Sequence, residues 1–324
     1  MKHRPDQFDL LADIGGTNTR VALAQAGVLL PGSVRRYENR AFTSLDGVLT
    51  QFVRDEGGVD CRGAAIALAG PVQDGVGVMT NLDWRMDHAS LRRTTRAETS
   101  VILNDLQAQG YALERLTTDS LTKLIPGKPG HSAATRLVIG LGTGFNATPV
   151  YTLGNTLFAA PSEVGHSDLP VRTAQELDLA AAIASHPPVA AIEDLLSGKG
   201  LARAYGVLTG SPDPVLPADV LARANDGEAA AKDAVQAFVT LLARVASDLA
   251  LTHLPYGGIF LSGGVARAIA PFLIPFGFQD AFENKGRFAP MMKAFSLSLI
   301  TDDFAALEGC AEALALQRQH AKRG

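Results

Sequence analysis

Three times along this 324-residue chain an apolar run of strand length stops at glycines: Asp13-Ile14-Gly15-Gly16, Gly142-Thr143-Gly144 and Ser262-Gly263-Gly264. Short apolar runs bounded by glycine read as buried strands that turn at the edge of a covered sheet. Glycine removes the Cβ atoms that would keep a ligand from the backbone N–H groups, so such turns suit phosphate oxygens. An ordinary hairpin also needs glycine, and the three turns carry more weight together than singly. Neither the Walker spacing nor the dinucleotide fingerprint is present.

Residues 8–14 and 20–25 flank the first glycine pair and predict a hairpin. Residues 63–69, small and apolar before Gly70-Pro71, and 101–103, ending at Asn104-Asp105, predict two more strands with a site at their ends. From 111 to 136 the pattern weakens, and Pro126-Gly127 with Pro129-Gly130 marks an irregular crossing and an inter-domain hinge. Residues 137–141 with Gly142-Thr143-Gly144 then repeat the opening layout, which predicts an internally repeated α/β architecture. Over 229–254, Val235, Phe238, Val239, Leu242, Val245, Ala246 and Leu249 recur at three- and four-residue intervals, the stripe of a helix packed on a second sheet. A strand at 259–261 leads into Gly263-Gly264, and a helix over 304–319 folds back on the first domain.

With 47% hydrophobic and 19% charged residues the chain can fill two cores. Its formal charge of -4, without a long run of either sign, argues against nucleic acid or an acidic membrane surface as partner. Cys61 and Cys310 lie far apart, so neither a disulfide framework nor a cysteine zinc site is expected, and a reducing cytoplasm fits. The N-terminus, Met-Lys-His-Arg-Pro-Asp-Gln and an apolar run that stops at Asp13, is too short for a leader or a membrane span.

Asp13 would repel phosphate directly and suits Mg²⁺ held through water. Asp105, at a strand lip, suits a base that accepts a hydroxyl proton, and equally suits the cap of a helix from 106. In Pro161-Ser162-Glu163-Val164-Gly165-His166 a carboxylate and an imidazole can bond neighbouring sugar hydroxyls. A metal pair there lacks further ligands, while a structural histidine remains an alternative. Glu193 opens a helical stretch before Leu195-Leu196-Ser197-Gly198, and the residues alone give it no role.

Taken in order, Leu11-Ala12-Asp13-Ile14-Gly15-Gly16-Thr17-Asn18 with Arg20, Met79-Thr80-Asn81 with Trp84, and Asn104-Asp105 resemble the bacterial glucokinase family of the hexokinase, actin and heat-shock-chaperone ATPase superfamily. The resemblance continues through Gly142-Thr143-Gly144, Glu163 with Gly165-His166, Leu196-Ser197-Gly198, Gly263-Gly264 and Phe282-Glu283-Asn284-Lys285-Gly286-Arg287-Phe288, and covers residues 10–314. It implies an α/β chain of two ribonuclease-H-like (actin-like ATPase) domains with an inter-domain cleft. The smaller would span 1–115, completed by a C-terminal helix within 301–324, and the larger 116–300.

The same resemblance implies phosphorylation of the 6-hydroxyl of glucose by ATP. Ala12, Asp13, Ile14, Gly15, Gly16 and Thr17 would contact the β- and γ-phosphates and place Mg²⁺. Gly142, Thr143 and Gly144 would form a second phosphate loop, with Gly263 and Gly264 on the adenosine side. Asp105 would be the base, and Asn104, Glu163, His166 and Glu193 would join it in binding the sugar. It further implies a cytoplasmic homodimer acting on glucose and ATP, with no nucleic-acid or membrane partner. Rival readings are a kinase for another hexose or amino sugar, a binding-only regulator, or an actin-like assembly module. The ROK branch, marked by a cysteine-rich zinc motif, is excluded by the two cysteines. One departure stands out: Phe145-Asn146 replaces the family's Leu-Gly, so Asn146 is expected in a left-handed conformation.

Overall fold

The computed structural model describes residues 8–154, 156–211 and 213–321. Residues 1–7, read above for a leader, and 322–324 of the predicted C-terminal segment lie outside the described residues. The chain is a mixed α/β protein of two compact units, one comprising Met1–Thr117, Leu153–Pro161 and Asp302–Gly324, the other Thr118–Thr152 and Ser162–Thr301.

In the first unit β1 (Phe8–Ile14) and β2 (Asn18–Gln25) form an antiparallel hairpin around Gly15-Gly16. Both β3 (Val28–Leu29) and β4 (Arg35–Glu38) pair with β2. Next come α1 (Leu45–Asp55), whose cap Ser44 accepts from Gly47 N, and β5 (Cys61–Leu68). A small sheet of β6 (Val72–Gln73), β7 (Val76–Val78) and β8 (Arg85–Asp87) precedes α2 (His88–Thr95), β9 (Thr99–Asn104) and α3 (Asp105–Ala112). Parallel pairing of β1 with β5 and of β5 with β9 gives the order β3-β2-β1-β5-β9.

Strand periodicity explains how this sheet is covered on both faces. Leu10, Ala12 and Ile14 of β1, with Ala64, Ile66 and Leu68 of β5, enter the core built with Leu45, Val48, Leu49 and Phe52 of α1. The alternate residues Leu11, Ala65 and Ala67 face a second cluster completed by Leu307, Cys310, Ala311 and Leu314 of the C-terminal helix, Ala305–Ala321. That helix crosses α3 closely enough that a Cβ on Gly309 would stand 1.7 Å from Ala108 O.

In the second unit β10 (Leu121–Ile125) lies inside the stretch expected to be irregular. Among the described residues it is an edge strand paired with the strand at 297–300, and with its burial not alternating it lacks the mark of a half-buried strand. β11 (Arg136–Leu141) and β12 (Phe145–Leu153) form a hairpin around Gly142-Thr143-Gly144. After β13 (Thr156–Ala159), which groups with the first unit, come α4 (Ala174–Ile183), α5 (Ile192–Leu195), α6 (Gly198–Thr209), α7 (Pro217–Asn225) and α8 (Ala229–His253). β14 (Ile259–Ser262), α9 (Gly264–Leu273), α10 (Phe278–Glu283), α11 (Ala289–Met292) and β15 (Leu297–Ile300) complete it, with the sheet path β10-β15-β14-β11-β12.

Among the described residues α8 is the one helix long and apolar enough to cross a membrane. Its apolar positions are instead buried against α6, α7, α10 and β11 in the core of the second unit. The two sheets repeat one plan: β1 and β11 each lie between an antiparallel hairpin partner and a parallel neighbour, followed by a second parallel strand.

Candidate active site

The first unit gathers its predicted residues at one strand edge. The registers Ile14 with Leu68 and Leu68 with Asn104 set the first glycine turn and the Asn104-Asp105 pair at the same ends of β1, β5 and β9. The glycine turn is held from behind by Asn39, which sequence reasoning missed. Its Nδ2 donates to Gly15 O at 2.7 Å, its Oδ1 accepts from Thr19 at 2.8 Å, and its N–H donates to Thr17 O at 2.9 Å. A buried asparagine in an otherwise unremarkable stretch gave no signal beforehand. Asn81 of the Met79-Thr80-Asn81 motif flanks the same turn, within 3.6 Å of where a Cβ on Gly16 would stand.

Asp13, Gly15, Thr17, Asn18, Arg20 and Arg36 line a concavity of about 230 Å³. Burial pushes the Asp13 carboxyl above the usual carboxylate range, and the Arg20 guanidinium 3.7 Å away pulls it back. Among the described residues no cluster of three or more His, Cys, Asp or Glu could hold a metal. A single carboxylate at a phosphate-type turn fits Mg²⁺ coordinated mainly by water and phosphate oxygens, not an all-protein cage.

At the end of β9 the cap role that the sequence offers as an alternative for Asp105 falls to its neighbour. Asn104 is the cap: its Oδ1 accepts from Gln107 N at 2.7 Å, and Gln107 Oε1 accepts from Asn104 N at 3.2 Å. Such a capping box stabilises a helix start by about 1 kcal/mol. Gln107 Nε2 also donates to Ala159 O at 3.0 Å, which fixes the start of α3 further. Asp105 is the first helical residue, exposed, with Oδ1 accepting from Leu106 N at 2.8 Å. With its Oδ1 committed to the cap, Asn104 can offer a ligand its amide N–H.

In the second unit Gly142-Thr143-Gly144 and Gly263-Gly264 lie at neighbouring strand ends, since Gly140 of β11 pairs with Ser262 of β14. Gly263 has φ +106° and approaches Leu141 so closely that a Cβ would stand 2.3 Å from its carbonyl oxygen. The Leu196-Ser197-Gly198 motif supports the same turn: Gly198 N donates to Gly142 O at 3.0 Å, and Ser197 Oγ accepts from Gly200 N to cap α6.

Glu193, which sequence alone could not assign, faces this turn, its Oε2 accepting from Phe145 N at 3.2 Å. The turn carrying Glu163 and His166 is pressed against the same hairpin, because a Cβ on Gly165 would lie 1.9 Å from Phe145 O. Partial desolvation pushes the Glu163 carboxyl above its ordinary range; His166 pulls it down and Glu193 adds a further upward push. Glu163, His166 and Glu193 are thus electrostatic neighbours able to accept from and donate to hydroxyl groups.

Asn146 does not take the left-handed conformation expected of it. It is a regular β12 residue opposite Gly140, so its side chain rather than its backbone matters: Nδ2 donates to Ser162 O at 2.5 Å and Oδ1 accepts from Ala147 N at 2.8 Å. The motif at 282–288 serves elsewhere. Phe282 and Glu283 line a cavity beside Ile259, where β14 begins, whereas Gly263 follows its end, and Lys285 forms an ion pair with Asp248 of α8.

The glucokinase family model matches residues 10–317. The glucokinase of Rhizobium etli is 30% identical over 305 residues, covering 93% of this chain and 89% of the relative. That of Mesorhizobium japonicum is 32% identical over 308 residues, covering 93% and 90%. The crystal structure of a glucokinase from an Antarctic psychrotroph superposes with a TM-score of 0.82 at 26% identity, covering 95% of this chain and 99% of that one. The glycine turns, the Asn104-Asp105 pair and the match across nearly the whole chain together place this protein in the glucokinase family.

Proposed function

We propose that the protein transfers the γ-phosphoryl group of ATP to the 6-hydroxyl of glucose, with Asp105 as the base. The observation that carries this reading is that Asp105 and the first glycine turn lie at the same end of the first sheet, with the helix cap assigned to Asn104. A primary hydroxyl is a weak nucleophile, and its proton must leave as the oxygen bonds to phosphorus. Asp105 accepts that proton, while the turn from Ala12 to Thr17 holds the phosphates through backbone N–H groups. Asp13 would hold Mg²⁺ through water, and the ion would supply charge neutralisation to the phosphates.

Asn104, Glu163, His166 and Glu193 bind the sugar hydroxyls, with Gly142, Thr143 and Gly144 as the second phosphate loop and Gly263 and Gly264 on the adenosine side. This assignment goes with two actin-like domains around a substrate cleft, near 1–115 with 301–324 and 116–300, and with a cytoplasmic homodimer. The repeated sheet plan supports the first of these, and the family supports glucose and ATP as substrates. A coupled assay with glucose and ATP, followed by a panel of hexoses and amino sugars, tests the reading. Turnover of glucose with Mg²⁺ is expected; no turnover of any sugar would overturn it.

A further inference from the structure

The register of the first sheet sets Asp13 opposite Arg20 and Arg20 opposite Arg36, in a row across β1, β2 and β4. Directly opposed residues of antiparallel strands point to the same face, so one carboxylate and two guanidinium groups stand side by side. All three line the concavity beside Gly15, Thr17 and Asn18.

The two arginines differ in what they touch. Arg20 lies 3.7 Å from Asp13 and donates to Asp303 O at 3.1 Å. Arg36 is exposed and, among the described residues, its side chain has neither a hydrogen bond nor an ion pair. Glu38, two residues along on the same face, is held by Arg40 at 2.7 Å, and Arg35, on the opposite face, pairs with Glu56 at 2.8 Å. One carboxylate against two guanidinium groups leaves one positive charge in excess. Like charges directly opposed on neighbouring strands repel, and a bound anion turns that repulsion into attraction. Guanidinium forks match the oxygens of a phosphate group in particular.

We propose that Arg36 binds phosphate, holding with Arg20 the terminal phosphate of the donor at the first glycine turn. The assignment rests on the kinase reading and adds to it that part of the donor's affinity resides in the phosphate chain itself. A bare phosphate chain therefore binds without a nucleoside.

Calorimetric titration of the full chain with tripolyphosphate, adenosine and glucose 6-phosphate tests this in the parent, Arg36→Gln and Arg36→Lys. Arg36→Gln is expected to weaken tripolyphosphate binding about tenfold, the loss of one charge-assisted contact, and to flatten its dependence on salt. Arg36→Lys recovers part of the loss, adenosine binds all three proteins equally, and KM for ATP rises in the glutamine variant. Equal tripolyphosphate affinity in the parent and Arg36→Gln would overturn the assignment, as would an equal loss for adenosine. A loss confined to glucose 6-phosphate would overturn the donor as the ligand. If no sugar is phosphorylated yet tripolyphosphate still distinguishes parent from variant, the kinase reading fails and the phosphate site stands.

Discussion

The hairpin of the first unit turns at Gly15-Gly16 beside Asp13, Arg20 and Arg36, whereas that of the second turns at Gly142-Thr143-Gly144 against Glu193, with Glu163 close by. The strand plan around them is the same, an antiparallel partner on one side and parallel strands on the other. Topology thus supplies both units with glycine turns at strand ends, and the flanking side chains decide what each can meet. A cationic rim suits a phosphate chain, and a carboxylate rim suits donors such as sugar hydroxyls. The first unit also carries Asp105 and the second carries Glu163, His166 and Glu193, so the proposed base and most of the proposed sugar contacts fall in different units.

The largest effect that would break this division is on turnover. Asp105→Asn keeps the shape of the side chain and removes the base, so kcat should fall by about 10²–10⁴ while glucose and ATP still bind. Because Asn104 holds the cap, the start of α3 should survive the substitution; turnover at the parent rate would leave the first unit without its base. In the second unit Glu163→Gln should raise KM for glucose by about tenfold to a hundredfold, as expected for a lost charged partner of a bound hydroxyl, and leave KM for ATP alone. An equal rise in both constants would erase the distinction between the units.

Smaller still is the effect of Asn146→Gly, which removes the bond to Ser162 O and should destabilise the protein by about 0.5–1.5 kcal/mol in a denaturant titration. No change would mean that the side chain does not tie the Glu163 turn to β12. The finest test is of pH. The folded protein holds the Glu163 pKa above its ordinary value of 4.5, so the ionised form costs stability as pH rises through the folded pKa, and the cost is absent below 4.5. Glu163→Gln should accordingly melt slightly higher than the parent at neutral pH, with the gap closing in acid. Solvent exposure of Glu163 keeps the gap small. A gap that widens in acid would reverse the inferred shift.

Much of this was legible in the residues because it rests on local rules. Each glycine turn follows a strand whose apolar run is visible without tertiary knowledge, and α8 shows its stripe over 25 residues. Asp105 could not be separated from a cap by sequence, since Asn104 and Asp105 are both good caps and only coordinates show which one bonds Gln107 N. Glu193 was opaque because its partner, Phe145 N, lies 48 residues away. Asn146 departs from the expectation because replacing a glycine does not by itself demand a special backbone: β12 is regular there and the asparagine acts through its amide. Arg36 became visible only through register, which no single strand reveals.

The C-terminal helix carries a consequence for synthesis. Leu11, Ala65 and Ala67 wait for Leu307, Cys310 and Leu314, nearly 300 residues downstream in the case of Leu11, so one face of the first sheet, covered in part by Ala108 and Tyr111 of α3, stays incompletely sealed while the rest of the chain emerges from the ribosome. The second unit, whose segments are all complete by Thr301, has no such dependence. The sheet of the first unit is therefore sealed only after the second unit is complete, and a chain stalled near residue 300 would expose a strip of Leu and Ala to any holdase within reach.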